Sequence, residues 1–325
     1  MTLLALAVVL PTACASSNGD DSGDGPGADL PTIVATTDIW ADVTQNIACG
    51  GVVNVVTLTP PGTDPHTYEP SLADRATVAN AGLVVANGLG LEASLLDTLE
   101  AVEESGTPVF RVGDHLDAIT AADDAGEPED AGDHPEDEAD EHDHAAGADP
   151  HFWFDPVRVL GTLEALAVAI ADATAIAESD IEACLASYTT ELETAHAQIV
   201  DIVAGLAPQQ RVLVTNHDSL SYFADRYGFR VVGTVLPAAT SAAEASIAHL
   251  EELAEIIERE GVTAIFGEMA HTSATVDSLA SQVGDVEVVG LATDGLGPVG
   301  SPNGTYIELL VTNAETVVAA LASDG

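Results

Sequence analysis

Short runs of apolar, often β-branched residues alternate along the chain with stretches whose apolar positions recur every three or four residues. The runs have the length of buried strands, and the wider spacing puts apolar side chains on one face of a helix. Residues 32–36, 52–58, 83–86 and 108–112 are therefore predicted strands, with helices over 39–48, 71–81 and 91–104. Strands separated by single helices predict a parallel sheet covered on both faces.

The alternation then stops. Residues 121–149 carry 13 acids, no base, no large apolar side chain, and His134, His142 and His144. Such a segment cannot bury enough surface to offset its ordering entropy and is expected to be disordered. Helical periodicity resumes at Pro156 and runs to about residue 207, with a break near 178–180. That stretch is long for an ordinary crossover and reads as a rigid helical connection between two lobes. Beyond Pro208 strands are predicted at 212–215, 231–236, 263–266 and 286–290, and helices at 220–227, 247–260, 275–283 and 306–321. The fold class is α/β: two similar lobes over 31–156 and 208–325, joined by helices over 157–207.

Composition excludes several kinds of partner. The 325 residues hold 54 acids against 7 bases, a formal charge of −47, and every base is an arginine. This surface repels phosphate backbones and anionic lipid headgroups, so nucleic-acid binding is excluded. Solubility in a salty medium accounts for most of the charge.

The apolar run at residues 3–10 is too short to span a bilayer and leads through Pro-Thr-Ala to Cys14. This resembles a bacterial lipoprotein signal: residues 1–13 are removed, Cys14 takes the lipid, and 14–30 are a flexible tether outside the cytoplasmic membrane. It departs from that pattern in lacking a basic residue before the run and in carrying Pro11. Of the remaining cysteines, Cys49 and Cys184 can pair in an exported protein, and their spacing is not that of a metal knuckle.

Four polar side chains share a type of placement. His66 lies in Pro60-Pro61-Gly62-Thr63-Asp64-Pro65-His66, directly after a predicted strand, and His151 lies in a second Asp-Pro-His turn, Asp149-Pro150-His151-Phe152-Trp153. His217 ends the strand before Asp218, and Asp294 follows the strand at 286–290. Open α/β sheets present ligands at the carboxyl ends of their strands. Any one of these residues alone is more readily an isolated loop residue. Together, three neutral imidazoles and one carboxylate form a closed tetrahedral set suited to Zn²⁺. Glu268 also ends a predicted strand, and it either backs a ligand, adds a fifth bond or is an ordinary surface acid. His115, His196, His249 and His271 lack such a context and read as structural or surface residues.

The stretches Asp64-Pro65-His66-Thr67-Tyr68-Glu69-Pro70, Asp149-Pro150-His151-Phe152-Trp153-Phe154-Asp155-Pro156, Thr215-Asn216-His217-Asp218-Ser219-Leu220-Ser221-Tyr222-Phe223 and Thr293-Asp294-Gly295-Leu296-Gly297 resemble, in order, the ligand motifs of the zinc/manganese solute-binding proteins of ABC importers. Asn87-Gly88-Leu89-Gly90-Leu91-Glu92 is a weaker match, and also reads as a Gly-bearing strand-to-helix turn. The resemblance covers residues 31–323. It implies two α/β lobes joined by a long helix, with the ion in the cleft between them. It further implies a non-enzymatic, monomeric chain that delivers the ion to a membrane permease with its ATPase. Histidine at position 217, where manganese-type members commonly carry glutamate, favours zinc, and imidazole also suits zinc better than manganese. The alternatives are a manganese-binding protein, a surface adhesin on the same fold, and, less favoured, a zinc hydrolase with Glu268 as general base. The last is opposed by four protein ligands where catalytic zinc keeps a position open.

Overall fold

A computed structural model describes residues 30–120, 147–236, 245–269, 274–284 and 286–322. Cys14 and the histidines of the acidic segment lie outside the described residues.

The first sheet contains β1 (Thr32–Ala35), β2 (Asn54–Thr57), β3 (Leu83–Ala86) and β4 (Val109–Arg111), in the order β2-β1-β3-β4 with every pair parallel. The second contains β5 (Val212–Thr215), β6 (Arg230–Thr234), β7 (Ala264–Glu268) and β8 (Glu287–Leu291), in the equivalent order β6-β5-β7-β8, again all parallel. β3 and β5 are buried at every residue, which is why they read as unbroken apolar runs rather than alternating ones. In each sheet the chain leaves the first strand to one side and returns past it to the other. That reversal opens a crevice at the carboxyl ends of β1 and β3 in one lobe and of β5 and β7 in the other.

Helices cover the sheets because their apolar faces match. In α1 (Asp38–Ile47) the residues Ile39, Trp40, Val43 and Ile47 are buried, three or four positions apart with one neighbouring pair, and Thr37 caps the first turn. α2 (Leu72–Ala79) starts at a reciprocal capping box between Ser71 and Asp74. The helix predicted over 91–104 begins later than its periodicity suggests. A 3₁₀ turn occupies Ala93–Leu95 before α3 (Leu96–Glu104). The cause is local: Leu89 takes a left-handed conformation between Gly88 and Gly90, and the Glu92 carboxylate bonds back to the N–H groups of Asn87 and Gly88. Glu92 is thereby committed to closing a turn.

The connecting stretch forms α4 (Pro156–Leu160), α5 (Leu163–Ala173) and α6 (Glu178–Val203). The break falls at residues 174–177, not at 178–180. Glu178 and Asp180 instead occupy the first turn of α6, where carboxylates favour the positive end of the helix dipole. The 26 residues of α6 span about 39 Å at 1.5 Å each. They pack against α1 of the first lobe and against α10 (Tyr306–Ala322) of the second. The second lobe is completed by α7 (Ser221–Tyr227), α8 (Ile247–Glu260) and α9 (Ala274–Val283).

One buried cluster runs through the molecule from Trp40 and Phe152 through Tyr188 and Leu192 of α6 to Tyr222, Phe266 and Leu309. Truncating a fully buried leucine such as Leu192 to alanine costs about 2–5 kcal/mol. A disulfide joins Cys49, just past α1, to Cys184 on α6, with their Cα atoms 5.4 Å apart. Among the described residues no helix is long and apolar enough to cross a membrane.

Candidate metal centre

His66 hangs from the loop after β2 and His151 from the turn before α4. His217 follows β5 and Asp294 follows β8. Sequence-distant as they are, one ligand atom from each lies within 4.8 Å of every other. The Nε2 atoms of His66 and His151 are 3.1 Å apart, and those of His151 and His217 are 3.2 Å apart. Asp294 Oδ1 lies 3.8 Å from His217 Nε2 and is buried without a hydrogen-bond partner among the described residues.

The two Asp-Pro-His turns are built alike. His66 N–H donates to Asp64 Oδ1 at 2.8 Å, and His151 N–H donates to Asp149 Oδ1 at 2.9 Å. Each aspartate thus closes a turn over the proline and fixes the backbone of the histidine two residues on. Asp149 does more, because its Oδ1 also sits 2.7 Å from His151 Nδ1. A carboxylate there requires Nδ1 to carry the proton, which leaves Nε2 with a bare lone pair. On the other side Glu268 Oε1 lies 2.7 Å from His217 Nδ1, a short contact whose angle is poor for a hydrogen bond. Glu268 is itself steadied by Asn216 Nδ2 at 2.9 Å. Glu268 therefore stands behind His217 much as Asp149 stands behind His151.

Imidazole Nε2 atoms facing each other at 3.1 and 3.2 Å either share a proton or, when bare, repel unless a cation lies between them. Tetrahedral zinc with bonds of about 2.0–2.1 Å sets its ligand atoms about 3.3 Å apart, so the donor set and spacing fit such an ion. Ligand histidines that donate their other nitrogen to a carboxylate are the usual support for a bound metal.

Electrostatics agree. Burial, reinforced by the neighbouring imidazoles, lowers His66 to about 3, and burial likewise takes His151 far below its ordinary value. Both are neutral and ready to bind. Burial would also lower His217, but the Glu268 and Asp294 carboxylates outweigh it and raise the group. Burial pushes Asp294 up to about 7, with His217 opposing, and Asp149 also up to about 7.

Further residues set the frame. Asn87, fully buried, accepts from Trp40 Nε1 at 2.8 Å and donates to the carbonyl of Pro150 at 3.0 Å, directly before His151. Tyr222 donates to the carbonyl of Asp149 at 2.9 Å. The Asp149–His151 pair has a signal in the sequence, since the Asp-Pro-His triplet occurs twice. Asn87 and Tyr222 lie in stretches that carry the family resemblance, but their partners depend on tertiary packing and cannot be read from the sequence. Of the other histidines, His115 stacks on Phe110, His196 faces the Tyr227 hydroxyl, and His249 bonds the carbonyl of Thr234. His271 lies outside the described residues.

Beside the ligands a pocket of about 380 Å³ opens between the lobes, lined by Pro61, Asp64, Glu268, Met269, Asp294 and Pro302 among others. It brings the edges of Glu268 and Asp294 toward solvent while the imidazoles of His151 and His217 stay covered.

Two α/β lobes of equivalent topology, converging three imidazoles and a carboxylate on one point, define a metal-capturing solute-binding protein. The sequence matches, over residues 33–320, the family described as zinc-uptake complex component A, periplasmic, and the chain belongs to that family. It is the extracytoplasmic metal-binding component of an ABC importer, not an enzyme. The zinc-binding protein TroA of Treponema pallidum is 30% identical over 98% of this chain and 97% of its own length. The manganese-binding lipoprotein MntA of Halalkalibacterium halodurans is 27% identical over 97% and 96%. The solved structure of the Treponema pallidum periplasmic zinc-binding protein superposes with a TM-score of 0.78, at 29% identity, covering 90% of this chain and 99% of that one.

Proposed function

We propose that this protein captures Zn²⁺ through His66, His151, His217 and Asp294 and delivers it to the permease and ATPase of its importer. The observation that carries this reading is the pair of Nε2 contacts at 3.1 and 3.2 Å, with carboxylates behind His151 and His217. Three imidazoles and one carboxylate make a borderline-soft set, which favours zinc over the harder manganese. Relatives that bear manganese in their names make Mn²⁺ the second reading. Elemental analysis of purified protein, followed by competition between Zn²⁺ and Mn²⁺, decides between them. Zinc retention against excess manganese is the expected result, and a manganese preference would overturn the assignment. His217→Ala that bound zinc as tightly as wild type would discard the site itself.

The N-terminal sequence supports a lipid on Cys14 that tethers the protein to the outer face of the cytoplasmic membrane. Radiolabelled palmitate should enter the wild type, and Cys14→Ser should be unlabelled and released. Labelling that persisted in Cys14→Ser would refute the anchor.

A further inference from the structure

The loop that carries Asp294 is gripped from the opposite lobe. Trp153 Nε1, two residues past His151, donates to the carbonyl of Thr293 at 3.1 Å. The N–H of Leu296 donates to Oδ1 of Asp38, the first residue of α1, at 3.1 Å. Gly295 lies between, and a Cβ there would come within 3.1 Å of Asp38 Oδ1 and 3.2 Å of Oδ2, so the carboxylate rests against bare backbone. One turn along α1, Asp42 Oδ2 accepts the N–H of Tyr306 at the start of α10, also at 3.1 Å.

Asp38 is well placed for such a role. It follows Thr36-Thr37 at the carboxyl end of β1, the crevice of the first sheet, and α1 packs on α6. A carboxylate accepting a backbone N–H makes one of the stronger hydrogen bonds a protein can form. Asp294 itself bonds only Thr293 Oγ1, at 3.1 Å, through its Oδ2, and offers Oδ1 to the site. Its approach to the three imidazoles is therefore set by the backbone on either side, at Thr293 and Leu296.

From this geometry we infer that Asp38 is a positioning residue for the metal site: it holds the 293–297 loop of the second lobe so that Asp294 reaches an ion centred on the imidazoles of His66, His151 and His217. The inference rests on those four residues being the ligands. Its consequence is specific. Removing Asp38 should loosen the carboxylate ligand alone and leave the three imidazoles in place.

The test uses the full chain with Asp38→Ala, Asp38→Asn, Asp294→Ala and the Asp38→Ala/Asp294→Ala double variant, plus His217→Ala as a control for the site. Zn²⁺ affinity is measured by competition, and the Co²⁺-loaded protein is followed by its visible d–d spectrum. Asp38→Ala should weaken Zn²⁺ by about 10- to 100-fold, as removal of a ligand's support commonly does. Its Co²⁺ spectrum should shift toward that of Asp294→Ala. In the Asp294→Ala background the same change should have no further effect, since the two act through one interaction. Asp38→Asn keeps an oxygen acceptor for Leu296 N–H and should restore most of the affinity. Equal losses in both backgrounds, or a lowered melting temperature with unchanged affinity and spectrum, would overturn the role of Asp38. Wild-type binding by His217→Ala would instead overturn the ligand set.

Discussion

The carboxylate of Glu268 stands 2.7 Å behind Nδ1 of His217, on the side of the ring away from the other ligands. It raises the basicity of that imidazole and decides which nitrogen faces the ion. Glu268→Ala should therefore weaken Zn²⁺ binding by about 10- to 100-fold in a competition titration, with the fold intact by circular dichroism. Unchanged affinity would make Glu268 a bystander.

Metal uptake should release protons from one side of the site only. Asp294, raised to about 7 by burial, holds a proton near neutrality, and the neighbouring carboxylates, against burial, raise His217. His66, lowered to about 3, does not. The ion competes with those protons, so affinity falls as pH drops below about 7, by about one to two log units per pH unit. Calorimetry in buffers of differing ionisation enthalpy measures the released protons directly. A slope above two would mean that His66 or His151 titrates as well.

Asn87→Ala removes the acceptor for Trp40 Nε1 and the donor to Pro150 O at a fully buried position. Each stranded group costs about 1–3 kcal/mol, and the turn bearing His151 loses its backing. Urea denaturation should show that loss, accompanied by weaker metal binding. Stability at the wild-type value would show that water replaces the side chain without cost.

The Cys49–Cys184 disulfide closes a loop across a sequence separation of 135. Replacing both cysteines with serine should cost about 2–5 kcal/mol of stability in the metal-free protein. Metal affinity should change little, because neither cysteine belongs to the candidate ligand set. Denaturation of the metal-free double variant checks the first statement, and a Zn²⁺ competition titration checks the second.

Much of the scaffold is legible from local pattern. The runs at 83–86 and 212–215 are β3 and β5 to the residue, and the periodicity over 247–260 is α8. These elements need only an apolar period and a cap. The pattern misleads where a polar side chain turns back on its own backbone, as Glu92 does before α3. It also misplaces the break before α6, because the acids there favour a helix start and only look like an interruption. Among the site residues, the Asp-Pro-His turns advertise themselves through proline. Glu268 stays ambiguous until β5 and β7 are paired side by side. The grip of Asp38 on Leu296 has no local signature, since it joins residues 258 positions apart.

The long helix α6 has a consequence for release. Among the described residues α1 and α10 are both laid along it, and one buried apolar cluster reaches into both lobes. Opening the lobes widely to release an ion would expose part of that cluster to water, at about 25 cal/mol for each Å² of apolar surface.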